Sequence, residues 1–288
     1  MHRQIGRVID QQASWAKPLG EGAQELLKEV FEGTRPLKDL LNGRWLGHPV
    51  HPVVTDVPVG AMTVAAVLDV TGQDTAADIA VLTGLASMAA SAATGAADAV
   101  DTYGKPQVYA TVHATLMVSA FTAYAGSAVL RLGPRGLRPV ARLLSFAGYG
   151  AMAAGAYVGG DLTYRLGNQV DRHAFDSHST KWKPLDVTEV PSGTLVKAKA
   201  GTDTLVLYRT SDAGPIAALS SVCAHEGGPL DKGEIVDGCV QCPWHGSRFR
   251  LDDGHVARGP AVYDQPRFEV RVMPDGALEA RREPAHAD

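Results

Sequence analysis

The chain has 288 residues and a formal net charge of −4 at pH 7, from 27 basic and 31 acidic residues. The basic residues form no patch, so the composition excludes an electrostatic nucleic-acid binder and we expect no nucleic-acid partner. The length allows two domains, and a change from a low-charge to a polar composition near residue 165 supports that division.

Residues 1–44 are charged and amphipathic. Apolar side chains recur at helical spacing in two runs, which begin at Ile5 and Ala23 and are separated by Lys17-Pro18 and Gly20. This pattern predicts two helices with a break between them. Their apolar faces can pack on the rest of the protein or lie on a membrane surface.

Residues 45–165 contain four long stretches with little charge. They cover residues 53–70, 79–97, 106–130 and 143–160. Each stretch approaches the ~20 residues that a helix needs to cross a bilayer, and turn-forming residues separate the stretches. We therefore predict an all-α transmembrane bundle of four helices. A soluble, alanine-rich four-helix bundle is the alternative.

Four polar residues accompany these stretches. His48 and His51 precede the first predicted span, Asp98 ends the second, and His113 lies in the third. Up-and-down topology brings all four toward one membrane face, and ionisable groups are costly in a membrane. We therefore consider a metal ion, a b-type haem held by His113 and one other histidine, or a quinone bound near His113 and Asp98. Side chains that only pin helix ends by hydrogen bonds are the alternative.

Residues 166–181 are polar and are expected to link the two halves, with His173 and His178 exposed.

Farther along the chain, Cys223 and His225 form one pair, and Cys242 and His245 form another. A 2Fe-2S cluster of the Rieske type binds two cysteines at one iron and two histidines at the other, so each short segment must serve both irons. Zinc also takes these ligands, but structural zinc sites usually place two cysteines on one segment and two histidines on the other.

Residues 182–288 resemble a Rieske domain of the ferredoxin type. Besides the four residues above, Gly246-Ser247 follow the second histidine, and Gly259-Pro260 occupy the position of a third loop that covers the cluster. The resemblance implies an all-β fold, Cys223 and Cys242 on one iron, His225 and His245 on the other, and Ser247 as a donor to the cluster.

Two departures from the related bc-complex proteins affect the expected reduction potential. Those proteins carry a disulfide between positions that are here Gly228 and Trp244, and a tyrosine where this chain has Phe249. Because hydrogen bonds to the sulfurs stabilise the reduced cluster, their loss lowers the potential. We predict a potential in the lower part of the Rieske range of roughly −150 to +300 mV.

The four-span half resembles a family of small bacterial membrane proteins with no settled function. The resemblance covers residues 45–165. It includes the sequence His48-Pro49-Val50-His51-Pro52 and the sequence Gly95-Ala96-Ala97-Asp98, which is followed by His113. It supports a multi-pass protein of the bacterial cell membrane, with the lipid bilayer as one partner.

Both termini of a four-span protein lie on one side of the membrane. Basic residues flank the bundle at both ends, and the first loop carries aspartates only, so we expect a cytoplasmic Rieske domain. Arginines in the third loop, at positions 131, 135, 138 and 142, argue for the opposite orientation.

Together these features predict a membrane-anchored electron carrier. Its partner would be a reductase, an oxygenase or a quinone, and the sequence leaves open whether the chain is itself an enzyme. One alternative is an oxygenase component with a metal in the membrane half, although only 43 residues follow His245 and a separate catalytic domain is not apparent. Another is a scaffold that senses the redox state of the cluster.

Overall fold

A computed structural model describes residues 2–284. Residue 1 and residues 285–288, the ends of the expected first and last domains, lie outside the described residues. The chain forms two compact units. The first comprises residues 2–42 and 49–168, and the second comprises residues 43–48 and 169–284. The predicted combination of a helical N-terminal part and a β-rich C-terminal part is confirmed.

The N-terminal segment forms three helices: α1 (His2–Asp10), α2 (Ala13–Glu32) and α3 (Arg35–Asn42). The predicted break at Pro18 and Gly20 is wrong, because α2 continues through both residues. Gly20 instead permits close packing on another helix, since a Cβ there would lie 2.4 Å from Thr111 Oγ1. The glycine therefore marks a helix contact.

Four long helices follow: α4 (Val50–Thr71), α5 (Asp74–Ala99), α6 (Lys105–Arg131) and α7 (Arg138–Gly160). Gly72 ends α4 in the left-handed conformation that favours glycine, with φ of 73°. Helices α4, α5 and α6 are long and apolar enough to cross a membrane. Helix α7 does not meet that criterion, since it has two arginines among its first five residues and contains five glycines and two tyrosines.

An ion-pair network joins the far ends of these helices. Three arginines from α6 and α7 meet three aspartates from α4 and α5: Arg131 pairs with Asp69 and Asp78, Arg138 with Asp74 and Asp78, and Arg142 with Asp69 and Asp74. The Arg131 and Asp69 side chains are almost fully buried. A buried charge needs a partner, so this network accounts for most of the third-loop arginines.

The second unit contains two antiparallel sheets. The strands of the larger sheet are β1 (Lys183–Pro184), β2 (Val196–Ala200), β3 (Asp203–Tyr208), β4 (Ala217–Ser220), β9 (Arg267–Val272) and β10 (Leu278–Arg282), in the order β1-β10-β9-β4-β3-β2. The smaller sheet is a meander of β5 (Glu234–Val236), β6 (Cys239–Gln241), β7 (Arg248–Arg250) and β8 (Val256–Arg258).

Each sheet presents one of the predicted ligand segments. The segment after β4 contains Cys223, and the turn between β6 and β7 contains Cys242. Both cysteines belong to a single apolar core that also includes Leu219, Val240 and Phe249. The packing of this core therefore fixes the two segments relative to each other.

Candidate metal centre

The first ligand loop, residues 221–229, folds back on itself. The amide of Cys223 donates a hydrogen bond to the carbonyl of Gly228 at 2.9 Å, and the amide of Gly227 donates to the carbonyl of Cys223 at 2.9 Å. Gly227 has a φ of 77°, which glycine adopts without strain. The loop therefore closes tightly around Cys223 and His225.

The second ligand loop, residues 242–247, repeats this construction. The amide of Cys242 donates to the carbonyl of Ser247 at 2.8 Å, and the amide of Gly246 donates to the carbonyl of Cys242 at 3.1 Å. Gly246 has a φ of 74° and stands at the same distance in sequence from its cysteine as Gly227 does. The Cys-x-His pattern of the first loop and the Cys-x-x-His pattern of the second thus form loops with equivalent hydrogen bonds.

The two loops bring the sulfurs of Cys223 and Cys242 together. Both cysteines are buried, and the Cys223 thiol donates a hydrogen bond to the Cys242 sulfur. This bond lowers the pKa of Cys242 to about 7 and raises the pKa of Cys223, because the two sulfurs share one proton. Backbone amides of the loops also donate to each sulfur, which favours the thiolates that metals bind.

The histidines form the second pair. The ring centroids of His225 and His245 are 5.1 Å apart, and the ring planes are nearly perpendicular at 86°. Two imidazoles bound to one tetrahedral metal at about 2.0–2.1 Å place their centroids about 5.2 Å apart. The observed spacing therefore fits two nitrogen ligands on one iron.

The pairs match the demands of a Rieske cluster. Such a cluster takes two sulfurs at one iron and two imidazole nitrogens at the other. Within residues 2–284, no group of three or more histidine, cysteine or acidic side chains could hold a single metal ion. The four residues therefore form one pair of sulfur ligands and one pair of imidazole ligands, each suited to a different iron.

Ser247 connects the second loop to the third. Its side chain is fully buried, and its Oγ accepts a hydrogen bond from the amide of Ala261 at 3.0 Å. The hydroxyl hydrogen of Ser247 remains able to donate in another direction. Phe249 is fully buried in the core shared with both cysteines and has no hydroxyl to offer.

Sequence reasoning missed the residues that support the first loop. The prediction that His173 is exposed was wrong: it is buried, and its Nε2 lies 2.7 Å from the carbonyl oxygen of Val222. Gln265 is also buried, and its Oε1 accepts from the amide of Ala224 while its Nε2 donates to the carbonyls of Ser220 and Val222. No local pattern marks either residue, since their partners are distant in sequence.

Residues of the predicted linker also contact the first loop. Arg172 pairs with the carboxylate of Glu226, and the amide of Arg172 donates to the carbonyl of Ala224 at 3.2 Å. The amide of Gln169 donates to Glu226 Oε1 at 3.2 Å. His178 is exposed, as expected.

The four polar residues of the helical half separate into different environments. His51 and His113 approach each other, with ring centroids 6.3 Å apart. Asp98 accepts a hydrogen bond from Asn42 Nδ2 at 2.7 Å. His48 is exposed and belongs to the second unit.

Two protein families match different parts of the chain. Residues 181–269 match the family described as the Rieske 2Fe-2S domain. Residues 47–172 match the family described as predicted membrane protein, DUF2231. The chain therefore joins a Rieske domain to a DUF2231 domain, and the predicted fusion is confirmed.

Three curated relatives each match less than a third of this chain. Apoptosis-inducing factor 3 of Mus musculus is 31% identical over 86 residues, which cover 30% of this chain and 14% of that protein. The oxygenase component of dicamba O-demethylase from Stenotrophomonas maltophilia is 42% identical over 67 residues, or 23% of this chain and 18% of that protein. The cytochrome bc1 complex Rieske iron-sulfur subunit of Streptomyces lividans is 39% identical over 66 residues, or 23% and 39%. The chain thus spans well under half the length of each relative.

Two solved structures each match a little over a third of this chain. The complex of reduced oxygenase and oxidized ferredoxin in carbazole 1,9a-dioxygenase matches 37% of this chain and 99% of its own chain, with 24% identity and a TM-score of 0.32. Dicamba monooxygenase with non-heme iron and dicamba matches 38% of this chain and 36% of its own, with 25% identity and a TM-score of 0.32.

Proposed function

We propose that the protein is a membrane-anchored Rieske protein that transfers single electrons. Cys223 and Cys242 would bind one iron, and His225 and His245 would bind the other. The observation that carries this proposal is the pair of equivalent loops, which place two sulfurs in hydrogen-bond contact and two imidazoles 5.1 Å apart. When bound, a cluster of this type supplies a one-electron couple.

The residues around the site have separate tasks in this proposal. Burial of both sulfurs in the apolar core excludes water from the sulfur side. Backbone amides donating to those sulfurs favour the more negative, reduced form. His245 is partly exposed and the adjacent Trp244 is 57% exposed, so this edge offers a docking surface for a redox partner.

Membrane anchoring is supported by the DUF2231 match and by the three helices that could span a bilayer. We propose that α7 crosses with them, shielded by α4 and α6, and that the chain resides in a bacterial cell membrane with the Rieske domain in the cytoplasm. Arg131, Arg138 and Arg142 are among the residues that argued against this orientation. Because each of them pairs with an aspartate, their position follows from the ion pairs and need not indicate the cytoplasmic side.

The partner is proposed to be a redox protein or a quinone. The relatives include an oxygenase component and a subunit of a cytochrome bc1 complex, so Rieske domains similar to this one work with different electron donors and acceptors. The predicted low potential favours a ferredoxin-like exchange with a reductase or an oxygenase over the oxidation of quinol.

The experiment uses the full chain, purified from membranes in detergent. A redox titration followed by electron paramagnetic resonance should give a Rieske signal with a potential below about +200 mV. Rapid mixing of the reduced protein with a ferredoxin-type acceptor and with a quinone would then identify the class of partner. Recovery of the protein in the soluble fraction, or a potential above that value, would contradict the proposal.

A further inference from the structure

The four long helices contain the same helical hairpin twice. In the pair α4 and α6, each buried residue of α4 has a buried counterpart in α6 at one constant sequence interval. The pairs are Pro58 and Ala120, Met62 and Tyr124, Ala65 and Ser127, and Asp69 and the side chain of Arg131. Unrelated helices that only happened to pack together would not keep one register over the whole buried face.

Helices α5 and α7 show the same relationship with a second constant interval. The buried pairs are Ala77 and Ala141, Val81 and Ser145, Gly84 and Gly148, Met88 and Met152, Ser91 and Gly155, and Thr94 and Val158. The contacts inside each hairpin are equivalent too. Met62 covers Gly84 in the first hairpin, and Tyr124 covers Gly148 in the second.

The ion-pair network follows this repeat. Asp69, Asp74 and Asp78 of the first hairpin occupy the positions that Arg131, Arg138 and Arg142 occupy in the second. These are the residues that pair across the hairpins. Two equivalent pairs, Asp69 with Arg131 and Asp74 with Arg138, meet directly, as they do near a two-fold axis, and Asp78 pairs with Arg131 and Arg138.

His51 and His113 are equivalent residues of the two hairpins, at the end away from this network. His51 Nδ1 lies 3.0 Å from the carbonyl oxygen of Ser91, and His113 Nδ1 lies 2.8 Å from that of Gly155. Each ring also rests on an equivalent glycine. A Cβ at Gly95 would lie 2.8 Å from His51 Cε1, and a Cβ at Gly159 would lie 3.2 Å from His113 Cε1.

These contacts fix the tautomer of both rings. A carbonyl oxygen only accepts a hydrogen bond, so Nδ1 carries the hydrogen in each histidine. Nε2 then holds a lone pair, which is the usual form of a metal-binding imidazole whose other nitrogen donates to a backbone carbonyl. The Nε2 atoms of His51 and His113 are therefore two equivalent candidate metal ligands, one from each hairpin.

The distance between the rings indicates how they would share a metal. Imidazoles on opposite sides of one metal, each bound at about 2.0–2.1 Å, place their centroids about 6.3 Å apart. The centroids of His51 and His113 are 6.3 Å apart, against 5.1 Å for His225 and His245. The first pair therefore fits a trans arrangement, and the second pair fits a tetrahedral one.

We propose that His51 and His113 bind one transition-metal centre between them, one imidazole from each hairpin. The remaining coordination positions belong to groups that the chain does not supply. The iron of a haem and a bare copper ion share this chemistry, since both accept imidazoles on opposite sides of the metal. The inference rests on the helical unit alone and does not depend on the Rieske cluster.

The test is metal and haem analysis of the full chain in detergent, as isolated and after incubation with haemin or copper. We expect either a Soret band or one bound copper per chain in addition to cluster iron. His51→Asn and His113→Asn should each abolish that metal. His178→Asn, which removes an exposed histidine, should retain it.

Two further measurements keep the outcome clear. Gly159→Val retains both histidines but displaces the His113 ring, and it should lower metal occupancy at least tenfold. The Rieske resonance should persist in every variant and shows that the second unit is folded, and an unchanged helical circular dichroism spectrum in detergent shows that the helical unit is folded. Binding of neither haem nor copper, or a bound haem or copper that survives both histidine substitutions, would overturn the proposal. A Soret band without a Rieske resonance would overturn the proposed function instead.

Discussion

Gly228 and Trp244 face each other across the two ligand loops. A Cβ on Gly228 would lie 3.2 Å from Trp244 Cγ and 2.6 Å from the sulfur of Cys242. These positions correspond, by resemblance, to the two cysteines that form the disulfide of bc-complex Rieske proteins. In this chain a large side chain and a glycine fill the same space without a covalent link, since all three cysteines are free thiols.

The double variant Gly228→Cys with Trp244→Cys should form a disulfide. Because Trp244 Cγ is bonded to its own Cβ, the two Cβ atoms lie within reach of the roughly 3.5–4.5 Å that a disulfide requires. The sulfur of Cys242, 2.6 Å from the new Cβ position, must shift to admit it. Mass spectrometry under non-reducing conditions measures the bond. The two single variants serve as controls. A double variant in which both introduced cysteines remain free thiols in an oxidising buffer would contradict the proximity of the loops.

Ser247→Ala should lower the reduction potential. The Ser247 hydroxyl accepts from the amide of Ala261, which leaves its hydrogen available for a cluster sulfur. Loss of one hydrogen bond worth about 1 kcal/mol corresponds to about 40 mV for a one-electron couple. Redox titration measures the shift, and the exposed Ser192→Ala provides the control. An unchanged potential in Ser247→Ala would exclude this donor.

Gln265→Leu should loosen the first ligand loop. The substitution leaves the buried amide of Ala224 and the carbonyls of Ser220 and Val222 without the partner that the Gln265 side chain provides. A buried unsatisfied group costs about 1–3 kcal/mol. We expect faster loss of cluster absorbance in denaturant than in the exposed control Gln11→Leu. Equal rates would mean that Gln265 does not hold the loop.

Arg131→Gln should destabilise the helical unit. Its guanidinium pairs with the buried carboxylate of Asp69, and removal of one partner of a buried ion pair costs about 3–5 kcal/mol. Thermal unfolding in detergent should show a lower midpoint than for the exposed control Arg135→Gln. The double variant Arg131→Gln with Asp69→Asn should recover part of the loss, because no buried charge remains unpaired at this site. A double variant as unstable as the sum of the two single variants would contradict this coupling.

The sequence predicted the parts of the fold that depend on local patterns. Stretches with little charge located α4 to α7, because a long apolar helix needs no distant partner to be recognised. The Cys and His spacing located the two ligand loops, because each pair lies within four residues. Pro18 misled the prediction, since the packing of α2 on its neighbours outweighs the interruption that proline favours.

Other features depend on contacts between distant residues. His173 lies in a polar stretch with no local pattern, and it is buried by its contacts with Val222 and Gln265. In the sequence, the aspartates of the first loop and the arginines of the third loop indicated opposite membrane orientations. The structure shows that these residues form ion pairs with one another. Sequence reasoning missed the repeat although identical residues such as His51 and His113, and Gly84 and Gly148, mark it, because the two intervals become apparent only from the buried register.

The most direct test of the account is electron paramagnetic resonance of the dithionite-reduced full chain, with iron and zinc determined on the same sample. A Rieske resonance with two non-haem irons per chain is predicted for the wild type. The resonance should disappear in His225→Ala and His245→Ala and persist in His178→Ala. A protein with zinc and no iron at this site, or a resonance that survives loss of His225 or His245, would contradict the assignment of the cluster.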